Sequence, residues 1–337
     1  MTDDEKAVPY GPVPAGIAGI GHHVPDRVID NEYFEKYLDT SDEWIQQRTG
    51  IVQRRWLAED EKPSDMFVAA AEMAMEDAGV RPEDVDLVVV GTASGDYLAP
   101  AVACVVQARL GLPKCGAFDI MAACSGFLYA LATGASFIGT GRYRNVLAIG
   151  GDAMSRLIDQ EDRSTAVLFG DGAGAVVLQP HEVCRRGLVE DYVLGADGEG
   201  VPLLLRPKGG AAEPMTEEIL RNREHFIHME GRKVYRFAAA RMIWLLDWAM
   251  RDQDPEELGW MIPHQMNRRI LEQATAHLGI PPNKVLHNIQ KYGNTSAGSV
   301  PILLSEGYRK GLFEKDKFLV LGAFGAGLTW AGARIRW

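Results

Sequence analysis

Three side chains in this sequence have the type and setting for chemistry: the thiol of Cys124, the imidazole of His264 and the amide of Asn294. Cys124 lies in Phe118-Asp119-Ile120-Met121-Ala122-Ala123-Cys124-Ser125-Gly126-Phe127. A strand is expected to end at about Met121 and a helix to begin at about Ser125. A thiol at a helix start meets unpaired N–H groups and the positive end of the helix dipole, which favour a thiolate. The small neighbours Ala122, Ala123, Ser125 and Gly126 leave room for a substrate. A sharp strand-to-helix turn is one mechanical way to present a nucleophile. The competing reading is a small packed hydrophobe, the usual fate of a free cysteine. Cys104, Cys115 and Cys184 are assigned that fate. Cys104 falls inside a predicted helix and Cys184 in a polar connection, and neither has a helix start to lower its pKa.

Trp260-Met261-Ile262-Pro263-His264-Gln265 reads as a buried strand ending at Pro263, so His264 falls at a strand end, where ligands collect in open α/β sheets. Gly293-Asn294-Thr295-Ser296-Ala297-Gly298-Ser299 likewise precedes a helix, with Ser296 as the expected N-cap. Taken singly, His264 is a structural histidine and Asn294 a turn residue. Taken together, the three are expected at equivalent strand-to-helix junctions. Such a trio has two chemical uses. In a thiol hydrolase the histidine is the base for cysteine and the asparagine orients it. In a decarboxylating condensing enzyme both donate hydrogen bonds to a thioester carbonyl and stabilise the enolate left by CO2. The residues alone do not separate the two.

The elements that must position them follow from periodicity. Short apolar runs at 86–91, 117–120, 145–150, 174–178, 261–262 and 318–321 suit buried strands. Helical stretches at 66–79, 101–110, 125–138, 234–250, 267–278 and 297–310 alternate with them. Alternation predicts a layered α/β fold with largely parallel sheets. Phe169–Leu178 (FGDGAGAVVL) echoes Gly322–Ile335 (GAFGAGLTWAGARI), each a glycine-rich turn leading into a strand. The echo divides the chain into a leader at 1–14, one half at 15–185 carrying Cys124, and a second at 186–337 carrying His264 and Asn294.

Composition narrows the class. Hydrophobic residues are 47% and charged residues 24%, enough to bury a sizeable core. A formal net charge of −11 argues against general affinity for nucleic acid or anionic membrane. No apolar run is long enough for a transmembrane helix, and the acidic start MTDDEKAVPYGP lacks the pattern of a signal peptide. Four scattered cysteines suit a reducing cytoplasm. There is no CxxC, HxxxH or HExxH, so no metal is expected. GDGAGA leads into a strand and not a helix, so no phosphate-binding helix start and no nicotinamide cofactor are expected.

Four stretches, FDIMAACSGFLYAL, IPHQMNRRI, YGNTSAGSVP and FGAGLTW, occur in that order, with TSDEWIQQRTGIVQRR nearer the N-terminus. Over the chain from about Ala15 onward, the sequence resembles the β-ketoacyl-acyl-carrier-protein synthase III family of the thiolase-like superfamily. The resemblance implies two similar βαβ-type halves in five layers (α-β-α-β-α) and a homodimer. It implies that Cys124 takes an acyl group from acyl-CoA, which is a substrate, so no cofactor is implied. His264 and Asn294 would then support decarboxylation of malonyl-acyl-carrier protein, and the carbanion would attack acyl-Cys124. The backbone N–H groups of Cys124 and Ala326 would form the oxyanion hole. Trp44 matches an adenine-stacking tryptophan, Arg48 and Arg163 its adenine and phosphate contacts, and Asn267 and Arg269 the tunnel mouth. Arg232, Lys233, Arg236, Arg268 and Arg269 form a basic set in an acidic chain, suited to docking an acidic carrier protein.

Three positions depart from the family. Ala326 replaces a usual glycine, which adds strain if that backbone needs positive φ. Ala99 stands where many members place a large aromatic that closes the acyl pocket across the dimer, which predicts longer or branched primers. Ala276 and His277 stand where some relatives carry lysines, which predicts modest affinity for the carrier. The rival readings are a starter-unit synthase or acyltransferase of secondary metabolism, a cysteine thioester hydrolase, and a non-catalytic partner subunit. The last usually lacks the nucleophile that Cys124 supplies.

Overall fold

The computed structural model describes residues 13–337, except Leu278 and the side chains of Gln273 and His277. The expected leader lies outside the described residues save for Val13 and Pro14, and so does the side chain of His277.

Nine strands form the main sheet system: β1 Ala15–His23, β2 Leu87–Gly91, β3 Gly116–Ile120, β4 Val146–Ala153, β5 Asp171–Pro180, β6 Leu188–Ala196, β7 Leu258–Pro263, β8 Phe318–Gly325 and β9 Thr329–Arg336. Their order is β7-β8-β9-β6-β1-β5-β4-β2-β3. The principal helices are α1 Asp42–Thr49, α2 Pro63–Ala78, α3 Val102–Arg109, α4 Gly126–Gly139, α5 Gly231–Met250, α6 Arg268–His277 and α7 Ser299–Arg309.

The expectation of largely parallel sheets does not hold. Pairing is parallel at β2–β3, β2–β4 and β7–β8 and antiparallel at the other five junctions. A parallel neighbour needs a crossover through a helix. The link from β8 to β9 is a tight turn at Ala326–Leu328, and β5 also returns beside β4, so both pairs run antiparallel. The echo in the sequence lands on this feature, because β5 and β9 hold the same place in a repeated order. On one side that order is β3-β2-β4-β5-β1. On the other it is a bridge at Val285 to Met261, then β7-β8-β9-β6. The two sides meet at one pairing, Gly16 with Leu188.

Alternation along the strands builds five layers. Val88 and Val90 of β2 and Leu147 and Ile149 of β4 face Phe67, Ala71 and Ala74 of α2 and Val106 of α3. Val89, Ala148 and Val176 on the opposite face pack with Phe127 and Leu131 of α4 and Leu303 and Leu304 of α7, which also meet Leu319, Leu321 and Ile335 of the second sheet. Phe318 and Val320 turn outward to Met242 and Leu246 of α5 and Ile270 and Leu271 of α6. The chain therefore has the thiolase-like α-β-α-β-α arrangement. The helices that follow Cys124 and Asn294 are the central layer, buried at their starts and over most of their length with Ser136 and Arg309 exposed toward their C-terminal ends, whereas the helix after His264 is an outer one. No helix among the described residues is long and apolar enough to cross a membrane.

The strand β1 was not among those expected, because three glycines in AGIAGIGHH weaken the strand signal. Gly19 and Gly21 are there because α2 lies directly on them, and Gly16 because Cys184 and the Arg186 carbonyl do. A Cβ on Gly19 would stand 2.0 Å from the carbonyl oxygen of Ala74. Gly19→Ala is accordingly expected to lower the unfolding free energy by about 3 kcal/mol, the upper range for overpacking. Gly198→Ala, where nothing lies within 4 Å of the added carbon, is the neutral control in urea denaturation.

Candidate active site

Cys124 occupies a short 3-10 turn, Ala123–Ser125, between β3 and α4. The turn is strained at Ala123, whose φ is +46°. Its opposite wall is the end of β8. A Cβ on Gly325 would lie 2.6 Å from the backbone nitrogen of Cys124, so only glycine lets that strand end reach the nucleophile's N–H. Thr329 ties the corner, donating to the Ala122 carbonyl at 2.9 Å.

The thiol is buried and donates to no base. Burial pushes its pKa up to about 12, the buried charge of Asp152 acts in the same sense, and the Ser296 hydroxyl opposes both. This corrects the expectation of a thiolate set by the helix start: Cys124 precedes the first turn of α4, and desolvation of the charged sulfur outweighs the help of the helix end. The remaining cysteines also differ from expectation in one respect. Cys115 and Cys184 are half-buried, but Cys104 is exposed, its thiol donating to the Ala117 carbonyl at 3.9 Å.

Asn294 and Ser296 come from the segment before α7. Ser296 is not the expected N-cap. The helix begins at Ser299 with Gly298 at the cap and no side-chain cap bond. Ser296 instead has φ +51° and places its hydroxyl 3.4 Å from Cys124 Sγ. Its backbone N–H donates to Asn294 Oδ1 at 2.9 Å. That bond occupies the amide oxygen and leaves Nδ2, a pure donor, for a ligand. The backbone of Asn294 is bonded on both sides to the strand-like stretch at Leu168 and Gly170.

His264 closes β7, its N–H bonded to the Gly322 carbonyl at 2.7 Å. Its Nδ1 lies 2.5 Å from Ser299 Oγ, which also accepts from the Gln265 N–H at 3.3 Å. Among the described residues, Nδ1 is the one acceptor within reach of the Ser299 hydroxyl hydrogen. The proton on the ring is thereby assigned to Nε2. Burial pushes the imidazole down to about 3, so it is neutral at physiological pH. Phe324 stands edge-on to the ring at 5.7 Å and excludes water.

Asp152, at the end of β4, is the site residue the sequence reading missed. It is fully buried. Oδ1 accepts from Thr92 Oγ1, Ala93 N and Ser94 Oγ at 2.7–2.9 Å, and Oδ2 from Ala297 N at 3.3 Å. A signal existed: an acid inside the apolar run VLAIGGDA is rarely buried without a task.

The expected ligand-binding residues form one rim. The guanidinium carbons of Arg163 and Arg48 stand 4.9 Å and 5.9 Å from the ring centre of Trp44. Asn267 Nδ2 donates to the Arg48 carbonyl at 3.0 Å, and Asn267 Oδ1 receives the Arg269 N–H. The rim is wired to Asn294: Asp42 of α1 holds Asn31, Asn31 holds the buried Arg54, and Arg54 holds the Val167 carbonyl. In the basic set, Lys233 is paired with Glu230 and Arg268 with Glu272, and Arg232 and Arg236 share one shallow hollow on α5. The backbone of Ala326 carries no positive φ; Gly327 takes it at +101°, so the expected strain at Ala326 does not arise. Ala99 is exposed in the single chain, beside Leu98 at 96% exposure.

Residues 118–198 match the family model for 3-oxoacyl-[acyl-carrier-protein] synthase III and residues 249–337 the model for its C-terminal part. The β-ketoacyl-[acyl-carrier-protein] synthase III of Caldanaerobacter subterraneus subsp. tengcongensis is 46% identical over 329 residues, 96% of this chain and 98% of that one. The crystal structure of 3-oxoacyl-[acyl-carrier-protein] synthase III from Aquifex aeolicus VF5 superposes with a TM-score of 0.87 at 40% identity, over 96% of this chain and 100% of the other. A priming β-ketosynthase from the R1128 polyketide biosynthetic pathway gives 0.87 at 33% identity, over 98% of each.

A neutral His264 is directly measurable. Because its folded pKa lies below the ordinary 6.5, its contribution to stability is full above that pH and lost as pH falls beneath it. In nitrogen-detected NMR of histidine-labelled protein, with His264→Ala for assignment, this ring is expected to stay neutral from pH 8 down to 5. A midpoint near 6.5 would mean that the imidazole is wet and free to act as a base.

Proposed function

The chain belongs to the 3-oxoacyl-[acyl-carrier-protein] synthase III family, and we propose that its buried trio performs a decarboxylative Claisen condensation of an acyl-CoA primer with malonyl-acyl-carrier protein, the initiating step of type II fatty acid synthesis. Cys124 takes the acyl group and releases CoA. The malonyl thioester then enters with its carbonyl oxygen between His264 Nε2–H and Asn294 Nδ2. These two neutral donors gain most as CO2 leaves and negative charge collects on that oxygen. The enolate carbon attacks the acyl-Cys124 carbonyl, whose oxyanion is received by the N–H groups of Cys124 and Ala326. Loss of CO2 supplies the carbanion, so the route calls for no added cofactor.

One observation carries this reading over a thiol hydrolase. A hydrolase needs the asparagine to orient a histidine that serves as base for the thiol. Here Ser299 orients the ring, and the oxygen of Asn294 is occupied by Ser296, which favours two parallel donors. The dry central layer favours condensation as well, because an enolate in contact with water is protonated before it can attack.

The rim of Trp44, Arg48, Arg163, Asn267 and Arg269 suits the adenine and phosphates of CoA, since an indole offers a stacking face and arginines bind phosphate in bidentate fashion. Arg232, Arg236 and Arg269, which form no ion pair among the described residues, suit an acidic carrier, with Lys233 and Arg268 partly neutralised by Glu230 and Glu272. Tyr97, Leu98 and Met121 leave the paired ends of β2 and β3 as exposed apolar groups, which supports a homodimer in which Ala99 faces the partner's acyl pocket. Four free cysteines suit the cytoplasm. The two halves at 15–185 and 186–337 are taken as its structural repeats.

Incubation with acyl-CoAs of graded length, read by intact mass and peptide mapping, is expected to give one acyl adduct, on Cys124, absent in Cys124→Ala. His264→Ala and Asn294→Ala should still acylate but release CO2 from malonyl-carrier protein about 10²–10³-fold more slowly, the usual loss for one oxyanion donor. An adduct that only hydrolyses, in wild type as in variants, would favour the hydrolase. Ala99→Phe is expected to shift competition among acyl-CoAs toward acetyl, and a wild type that already prefers acetyl over C4–C12 chains would remove the case for a deep pocket.

A further inference from the structure

The thiol that must become a nucleophile is protonated and buried, and no hydrogen bond links it to His264, whose Nδ1 is held by Ser299. Its one hydrogen-bonding side-chain neighbour among the described residues is Ser296, at 3.4 Å. That hydroxyl has one hydrogen, which it gives to the sulfur or to the carboxylate of Asp152; turned to Asp152, it leaves Ser296 Oγ free to accept from the thiol. Three donors saturate Oδ1 of that carboxylate, while Oδ2 faces the Ser296–Ala297 turn. Two non-glycine residues with left-handed backbone, Ala123 at φ +46° and Ser296 at φ +51°, flank the sulfur. Strain of this kind persists where surrounding structure fixes a functional geometry.

We propose that Ser296 is a catalytic residue for acyl transfer, receiving the Cys124 thiol proton while passing its own hydroxyl proton to Oδ2 of Asp152. The proposal rests on Cys124 being the acylated nucleophile. As the sulfur attacks the acyl-CoA carbonyl, its S–H bond breaks and the proton moves to Ser296 Oγ, whose former hydrogen moves to Asp152. The new carbon–sulfur bond forms, the bond to the CoA sulfur breaks, and the proton held on Asp152 returns through Ser296 to the departing CoA thiolate. Atoms and charge balance: acyl-CoA and a thiol become acyl-cysteine and CoA thiol. The physical advantage is that the pocket carries one buried negative charge throughout. Burial raises the proton affinity of Asp152, its hydrogen bonds from Ser296, Ala93, Ser94 and Thr92 hold the anion, and the charge resides there before attack and on sulfur during it. A thiolate formed beside an ionised Asp152 would instead place two buried charges in contact, each raising the other's proton affinity.

That contrast supplies the test. Asp152 as a bystander charge disfavours the thiolate, so Asp152→Asn would then speed reactions of the thiol. As the proton acceptor, its loss slows them. Alkylation of Cys124 by iodoacetamide, followed by peptide mapping to separate it from exposed Cys104, needs loss of the thiol proton but no acyl-CoA. Ser296→Ala and Asp152→Asn are each expected to slow it about 10²-fold, the ordinary contribution of positioned proton transfer, and the double variant to be no slower than either single. Single-turnover acylation by an acyl-CoA should fall by the same factor. Unchanged or faster alkylation in Ser296→Ala, faster alkylation in Asp152→Asn, or multiplicative losses in the double variant would overturn the relay. Ser296→Ala removes one exchangeable hydroxyl and is the safer variant for folding. If wild-type Cys124 takes up no acyl group from any acyl-CoA, the condensing reading fails, while the alkylation series still decides the relay.

Discussion

The site depends on one packing constraint: two tight turns, Ala123–Ser125 and Ser296–Gly298, must touch inside a layer that water does not enter. Each turn begins a helix of the central layer, and each lies against the end of a strand from the surrounding sheets. Glycines make the approach possible, above all Gly325 against the nitrogen of Cys124. Asp152 fixes the second turn through the Ala297 N–H and the first sheet through Thr92, Ala93 and Ser94. A single buried carboxylate thus holds the strand ends and the catalytic turn in one frame.

The same burial sets both proton affinities, in opposite directions. Desolvation disfavours the charged form of each group, so the Cys124 thiol goes up to about 12 and the His264 imidazole goes down to about 3. Neither group rests in its charged form, and the chemistry suits that. A neutral Nε2–H and an amide can donate to an oxygen that becomes negative only as CO2 departs.

The wider architecture explains how remote contacts reach this corner. The helix that carries Trp44 and Arg48 is joined through Asp42, Asn31 and Arg54 to the stretch that brackets Asn294. The rim and the amide therefore share one path of hydrogen bonds.

What the sequence determined by itself was the family and the class of fold, together with three candidate groups for the site. Cys124 and His264 stood out because each ends an apolar run of strand length and precedes a helical one, Asn294 because it lies just ahead of a helix, after the short helix Ile289–Tyr292 and not after a strand, and the layered α/β class was legible from the alternation. The helices agree with their expected positions to within a few residues, since their signals are local. What only tertiary structure decided are quantities that depend on neighbours distant in sequence. Antiparallel pairing of β4 with β5 and of β8 with β9 is set by where a chain turns back, not by its apolar content. The state of the thiol is set by desolvation, which a local reading of the helix end could not weigh. Ser296 reads as a cap in the chain and is a partner of sulfur in the fold. Asp152 gains its meaning only from four donors contributed by separate segments. Gly19 and Gly325 look like weak points in strands until the helix and the nucleophile that press on them are in place.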